Sequence, residues 1–518
     1  MRRRDFVKLT AAGGLAAATG AAFPWRRARA APFGEFPDSA GSVALPAELR
    51  AESVLEVFLY GGLSAWETLY LVEAYGRPSD PLYPNQQFYT YLGAGGATSV
   101  EAALDICGFP AGEPMGMPFA LDDNGAEVAI GPFAYRLRQR TDLLARMRLM
   151  VHYHRLEPHE AAVPQALTGK PLGQPGAAGL GAHIQRFFLD RPDRPVSRSA
   201  PYSYIFATGG MPGDNVSAAG ATGLHPGAAR PLSINIDNTQ RFAELLARPG
   251  VGSLDARDRH DQLMQVYVDQ YRQRLRWRRS GEPVRSARFT DLSLAVGSVG
   301  NVDAIRAVMD ESLFVAREGA ACGEENEADV TGMSLEAARH LLLHPEQPAR
   351  YVCVSDVGLY EASGGGGYDT HTANSHDTAR NFDNLLRSLT AIINQPGEGD
   401  PEKLDLDRTL IILNTEFGRT PVPQDGGSGR NHHPYGYVTA MLGGPIREGQ
   451  AGIAGAIGPD GVAVEHMRPS ETRVAALLSL GIWPFSPEGF AVSDVRGAAD
   501  ELDAARLATE RALGLVAS

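Results

Sequence analysis

Several stretches of the chain are apolar without alternation. They are residues 54–60 in SVLEVFLYGG, 149–152 in RMRLMVHYH, and the runs ARYVCVSDVG (349–358), DRTLIILNTEFG (407–418) and YGYVTAMLGG (435–444). A short apolar run bounded by glycine or polar turns reads as a strand buried on both faces. Such strands belong to parallel sheets covered by helices. Helical spacing falls between them: in HEAAVPQALTGK after the Glu157-Pro158 turn, in SLEAARHLLLH, in the amphipathic run from His376, and in RPSETRVAALLSLGI (468–482). The pattern therefore predicts an α/β fold with a mostly parallel central sheet sandwiched by helices. Residues 190–235, rich in Pro, Gly, Ser and Asn, predict a long surface excursion. Residues 237–345 look mostly helical, as in RFAELLARPG and DQLMQVYVDQYRQRLRW. Residues 51–515 thus read as one domain, with a loop-rich and then helical insertion over about 190–345. No repeat at the 20–50-residue period of solenoids is present.

The first thirty residues change the picture. MRRRDFVKLTAAGGLAAATGAAF has a basic start and a short, weakly apolar segment, and Ala28 and Ala30 sit at small-residue cleavage positions. Arg3-Arg4-Asp5-Phe6-Val7-Lys8 resembles a twin-arginine export signal. The apolar segment, at roughly 15 residues, is short for a membrane span of about 20. Residues 1–30 are therefore expected to be a cleaved signal that engages the twin-arginine export machinery, with 31–50 a short linker. The expected location is the periplasm or the extracellular space, with no integral membrane segment after cleavage. The removed segment holds seven basic groups and one acid, so net charge moves from −13 to about −19. So acidic a protein is a poor binder of nucleic acid. The basic stretch at 271–288 reads as a solvated helix face and linker. Cys107, Cys322 and Cys353 lie far apart with no CxxC, which implies no disulfide framework and leaves one pair open.

In open parallel sheets, chemistry gathers beyond the carboxyl ends of the strands. Glu67 follows the first strand; His152, His154 and His159 follow the second. Asp369 and His371, in YDTH, follow the third after Gly364 to Gly367. Glu416 ends LIILNTEF, and His432-His433 precede the next strand. Histidines and carboxylates together are ligands for a divalent ion such as Zn, Mn, Ca or Mg. The four glycines lack G-x-G-x-x-G spacing and a following helix, which argues against a dinucleotide, and instead let backbone run close to the site. His376 is expected to open the helix rather than to ligate.

GGLSAWET, HEAAVPQALTGK, YDTH, TEFGRTP, GRNHH and MLGGPIREGQAGIAGAIGPDG together resemble the bacterial exported family called domain of unknown function 1501. That family looks like a branch of the alkaline phosphatase/sulfatase-like superfamily. The resemblance implies metals at the strand ends. It implies a ligand role for Glu67, for Asp369 and His371 ahead of a helix carrying Asp383, for Glu416, and for His432 with His433 as the adjacent alternative. The superfamily nucleophile starts a helix ending in Thr-Gly; counting back from Thr168-Gly169 lands on His159, which cannot become a sulfatase formylglycine. Phe417 replaces a further ligand, which counts against a paired-ion site.

The expected activity is hydrolysis of a phosphate or sulfate ester, from a small anionic ester to a sulfated or phosphorylated polymer. His159 or Glu67 would handle the nucleophile or its proton, and Arg419 or Arg430 would clamp the anion. His159 begins a helix whose dipole disfavours an imidazolium, so a neutral ring is expected near pH 7. The competing reading is an inert, metal-stabilised binding or assembly protein of the cell envelope.

Overall fold

The computed structural model describes residues 33–76, 100–110, 112–174, 177–191, 200–208, 210–223, 230–236, 311–314, 318–322, 324–359, 367–424 and 428–515, with isolated positions between 259 and 309. The export signal expected at residues 1–30, Gly364 to Gly366 and nearly all of the helical stretch expected at 241–277 lie outside the described residues.

Eight strands form one sheet. In chain order they are β1 (Ser53–Leu59), β2 (Met147–His152), β3 (Ser203–Ala207), β4 (Leu232–Asn235), β5 (Tyr351–Asp356), β6 (Thr409–Asn414), β7 (Tyr437–Gly443) and β8 (Gly452–Ala454). Their spatial order is β8-β2-β7-β6-β1-β5-β3-β4. Every neighbouring pair is parallel except those made by β7, which runs antiparallel to both β6 and β2. The uninterrupted apolar runs are accounted for: all residues of β1, β5, β6 and β7 are buried, whereas the edge strand β4 is largely exposed.

Both faces are covered. Leu55 and Val57 of β1 face one core, shared with Leu335 and Leu341 of α4 (Val330–Leu342) and Phe382 and Leu385 of α5 (Asn374–Ala391). Val54 and Phe58 face the other, against α1 (His159–Thr168), α2 (Leu180–Asp190), α3 (Gly210–Gly220), α6 (Pro469–Ser479) and α7 (Glu501–Leu513). Burying each such Leu or Phe contributes about 1.5–3 kcal/mol. Glu56 points into this second core, where it accepts hydrogen bonds from Arg473 (2.7 Å), the Tyr351 hydroxyl (2.7 Å) and Asn414 Nδ2 (2.8 Å). A carboxylate survives there because its partners are buried with it.

One expectation needs correcting, and the cysteine pair left open is decided. Residues 190–235 are not only a surface excursion: they supply β3, α3 and β4. Glycine and proline density misleads there: Gly210, Pro212, Gly213 and Gly220 lie in α3, and the five-residue strand SYIFA is buried throughout. The cysteines do form one disulfide, Cys107 to Cys322, across 215 residues of sequence. It ties the end of the helix Val100–Ile106 to a hairpin at 318–328, while Cys353 stays free and buried in β5. No helix among the described residues is long and apolar enough to cross a membrane.

Candidate metal centre

Strands β1, β2, β5 and β6 point the same way, so their carboxyl ends share one edge; β7 runs opposite and starts there. Topology therefore gathers the segments that leave these strands. Close approach sets the rest. A Cβ on Gly61, at φ +109°, would lie 2.1 Å from the Asp369 amide nitrogen, and one on Gly429 would lie 1.7 Å from the His371 carbonyl oxygen. Glycine alone fits at both.

His159, Asp369 and His432 each offer a ligand atom, and the three atoms lie within 4.8 Å of one another. His159 Nε2 is 3.4 Å from Asp369 Oδ2. His432 Nε2 and His371 Nε2 each lie 3.1 Å from Asp369 Oδ1 and 3.1 Å from each other. The outer nitrogen of each ring has an oxygen partner. His159 Nδ1 donates to Glu416 Oε1 (2.9 Å), His432 Nδ1 to the Glu157 carbonyl (2.8 Å) and His371 Nδ1 to Gln424 Oε1 (2.9 Å). An acceptor on Nδ1 leaves Nε2 as the ligating atom. His159 Nε2 is buried with no hydrogen-bond partner. Such an orphan, beside two imidazole lone pairs and a carboxylate, fits a divalent cation.

Charge supports the geometry. Burial would lower the His159 pKa, but the carboxylates of Asp369 and Glu416, facing its two ring nitrogens, outweigh it and push it up to about 9. The expected neutral ring is therefore corrected: two carboxylates overcome the helix dipole. Burial works against Asp369 ionisation as well, yet the three histidines and Arg419 hold it far below the usual carboxylate range. The Asp369 hydrogen bond raises His371, whereas burial lowers His432. Phe417 stacks on His432 (4.3 Å between centroids) and Tyr60 on His159 (5.0 Å), covering the site with aromatic rings on those sides. It opens towards His371, whose side chain is 28% exposed against 11% for His159.

The other candidates are placed differently. Glu67 pairs with the buried Arg430 guanidinium and accepts from Ser64 Oγ (2.6 Å), away from the ligand cluster. Glu416 stands behind His159 and accepts from the Gly61 amide (2.7 Å) rather than joining the three close atoms. Arg419 is wholly buried and spends its guanidinium on Asp369 and on the carbonyls of Gly61, Gly62 (3.3 Å) and Arg430 (3.1 Å), so it is not exposed to clamp an anion. His433 Nε2 donates to the Gly461 carbonyl (2.7 Å), which leaves His432 as the ligand candidate. His152, with its pKa pushed down to about 3 by burial, bonds Thr439 and Met467, and His154 bonds the Glu416 carbonyl. His376 pairs with Asp377, and Asp383 with Arg136. Sequence reasoning missed Gln424, the Glu157 carbonyl and Tyr60. Of these only Tyr60, at the end of FLYGG, carried a signal, its place at a strand end.

A family model described as protein of unknown function (DUF1501) matches residues 51–479, which include every residue of this cluster. No curated protein matches the chain.

Proposed function

The chain belongs to the DUF1501 family, and we propose that it is an exported hydrolase that holds one divalent ion at the strand ends and cleaves a phosphate or sulfate ester. The observation that carries this is the convergence of three Nε2 atoms on Asp369, each ring with its Nδ1 bonded to an oxygen on the far side. His159, Asp369 and His432 would hold the ion, with His371 at the open side. Imidazole donors with one carboxylate favour Zn over Mn, Ca and Mg, which suit oxygen-rich sets. When bound, the ion supplies Lewis acidity, polarising an ester oxygen and offsetting charge that develops on it.

The chain's own residues do the rest. Arg419 holds the Asp369 carboxylate in place, and Phe417 and Tyr60 exclude water from the inner side. His371, held at Nδ1 by Gln424 and facing the opening, is placed to pass a proton at Nε2 to a leaving oxygen. In this reading the sheet is that of the alkaline phosphatase/sulfatase-like superfamily. The helix from His159 to Thr168, capped by Gly169 at φ +75°, occupies the nucleophile helix. The Cys107–Cys322 disulfide fits an oxidising compartment reached by twin-arginine export.

Purified mature protein should carry about one ion per chain. With Zn or Mn it should turn over some member of a panel of phosphomonoesters, phosphodiesters and sulfate esters, and Asp369→Ala should abolish this. Replacing Arg3 and Arg4 by Lys should trap precursor in the cytoplasm; unchanged export would sink the twin-arginine route. One observation favours the second reading, an inert metal-stabilised envelope protein: Arg419 and Arg430, the cationic residues beside the site, are both buried. Stoichiometric metal with no turnover on the whole panel would decide for it.

A further inference from the structure

Glu416 sits where a strand-end carboxylate would be expected to ligate. We infer that Glu416 is instead a positioning residue that fixes the tautomer and aim of His159, an inference that rests on the metal reading above. Its Oε1 accepts two hydrogen bonds, from the Gly61 amide at 2.7 Å and from His159 Nδ1 at 2.9 Å. Two donors fill the lone pairs of that oxygen. The other oxygen, Oε2, has Thr415 Oγ1 3.4 Å away, and neither oxygen belongs to the group of three close ligand atoms. An ionised carboxylate accepts only, so Nδ1 must carry a hydrogen and Nε2 must present its lone pair when the ring is neutral. That Nε2 is the buried atom without a hydrogen-bond partner, aimed at Asp369.

The ring is held in two directions. Glu416 fixes it along the Nδ1–H axis, and Tyr60 fixes its plane, with ring centroids 5.0 Å apart and planes 18° apart. Glu416 is held in turn, because the Gly61 amide it binds belongs to the glycine against which Asp369 packs. One carboxylate thereby sets the distance between two proposed ligands, His159 and Asp369, that come from α1 and the segment after β5. Partners of this kind raise the basicity of the ligating nitrogen, and their loss costs roughly 10- to 100-fold in metal affinity without removing a ligand.

The test compares wild-type protein, Glu416→Gln and Glu416→Ala, each loaded with Zn for affinity by chelator competition and with Co for its visible spectrum. Gln keeps an acceptor for Nδ1 and for Gly61 while removing the charge, so it guards against a variant that fails to fold. The expected result is one ion in all three. Affinity should fall roughly 10- to 100-fold in the Ala variant and less in the Gln variant, with the Co band positions and intensities unchanged. A Co spectrum that changes coordination in both variants would make Glu416 a ligand and overturn the inference. So would Zn affinity in Glu416→Ala equal to wild type. Wild-type protein that binds no ion would sink the metal reading itself, a distinct outcome.

Discussion

Two buried carboxylate–arginine pairs lie on the same edge of the sheet, and only one of them looks reactive. Glu67 meets Arg430 with Ser64 Oγ on its second oxygen, so both carboxylate oxygens are satisfied and no histidine approaches among the partners described. Asp369 meets Arg419 but also faces His159, His371 and His432, one of which keeps an orphan nitrogen. The pairs are joined, since Arg419 donates to the Arg430 carbonyl. A strand-end carboxylate is therefore not a ligand by position. What separates the two is whether ring nitrogens with lone pairs crowd the carboxylate. The first pair is closed by its arginine and serine; the second is ringed by imidazole nitrogens whose lone pairs need a cation.

Paired substitutions test that contrast most directly. Asp369→Ala should take bound metal from about one ion per chain to none by elemental analysis. Glu67→Gln should leave metal content unchanged while lowering stability to denaturant by about 3 kcal/mol, because the Arg430 charge is left buried without its partner. Metal loss in both variants would erase the distinction.

His159→Ala should reduce any turnover by about 100-fold or more while leaving the melting temperature within a few degrees. If melting drops steeply and turnover persists, the histidine is structural. His159→Gln should restore little, since it cannot ligate like an imidazole.

A smaller effect is expected with pH. In metal-free protein the His159 pKa is raised to about 9, so the ring is protonated at neutral pH and a metal ion must displace that proton. Chelator competition should show affinity rising about tenfold per pH unit between 7 and 9 and flattening above. The sign for stability is opposite. A raised histidine pKa stabilises fully below the ordinary 6.5, and that contribution is lost as pH rises through 9. A flat affinity profile would mean that His159 is not a ligand.

The last effect concerns Asp356 at the end of β5, outside the cluster. Burial raises its pKa from 3.8 to about 6 despite hydrogen bonds from Tyr368 (2.7 Å), Gly358 (2.9 Å) and Thr331 (2.8 Å). The folded state thus prefers the protonated acid. Stability should decline by up to about 3 kcal/mol as pH rises from 4 through 6. Asp356→Asn should remove this slope and leave the metal site alone.

The sheet was legible because strands buried on both faces must be apolar throughout: residues 54–60, 149–152 and the last three runs each match a strand within a few positions. β3 was not, because five residues within a glycine- and proline-rich stretch of sequence resemble a loop until a partner strand pairs with them. At the site, Asp369, His159 and His432 were legible as polar residues at strand ends. Glu67 carried the same signal and went elsewhere, because nothing local announces Arg430, 363 residues away. His432 and His433 could not be told apart in sequence; neighbours in a strand point to opposite sides, and only the pairing of Gly418–Arg419 with His432–His433 decided which ring faces Asp369.

The sequence by itself determined the class of fold, the edge at which polar residues collect and the kinds of ligand available, because hydrophobic periodicity and side-chain chemistry are local properties. Tertiary structure alone decided which carboxylate is closed by an arginine and which nitrogen of each histidine faces inward. It also decided that two carboxylates raise the His159 pKa, where the helix dipole alone would lower it. Those outcomes depend on distances of a few ångströms between groups hundreds of residues apart, and hydrogen bonds and Coulomb terms at such range outweigh any preference of the isolated segment.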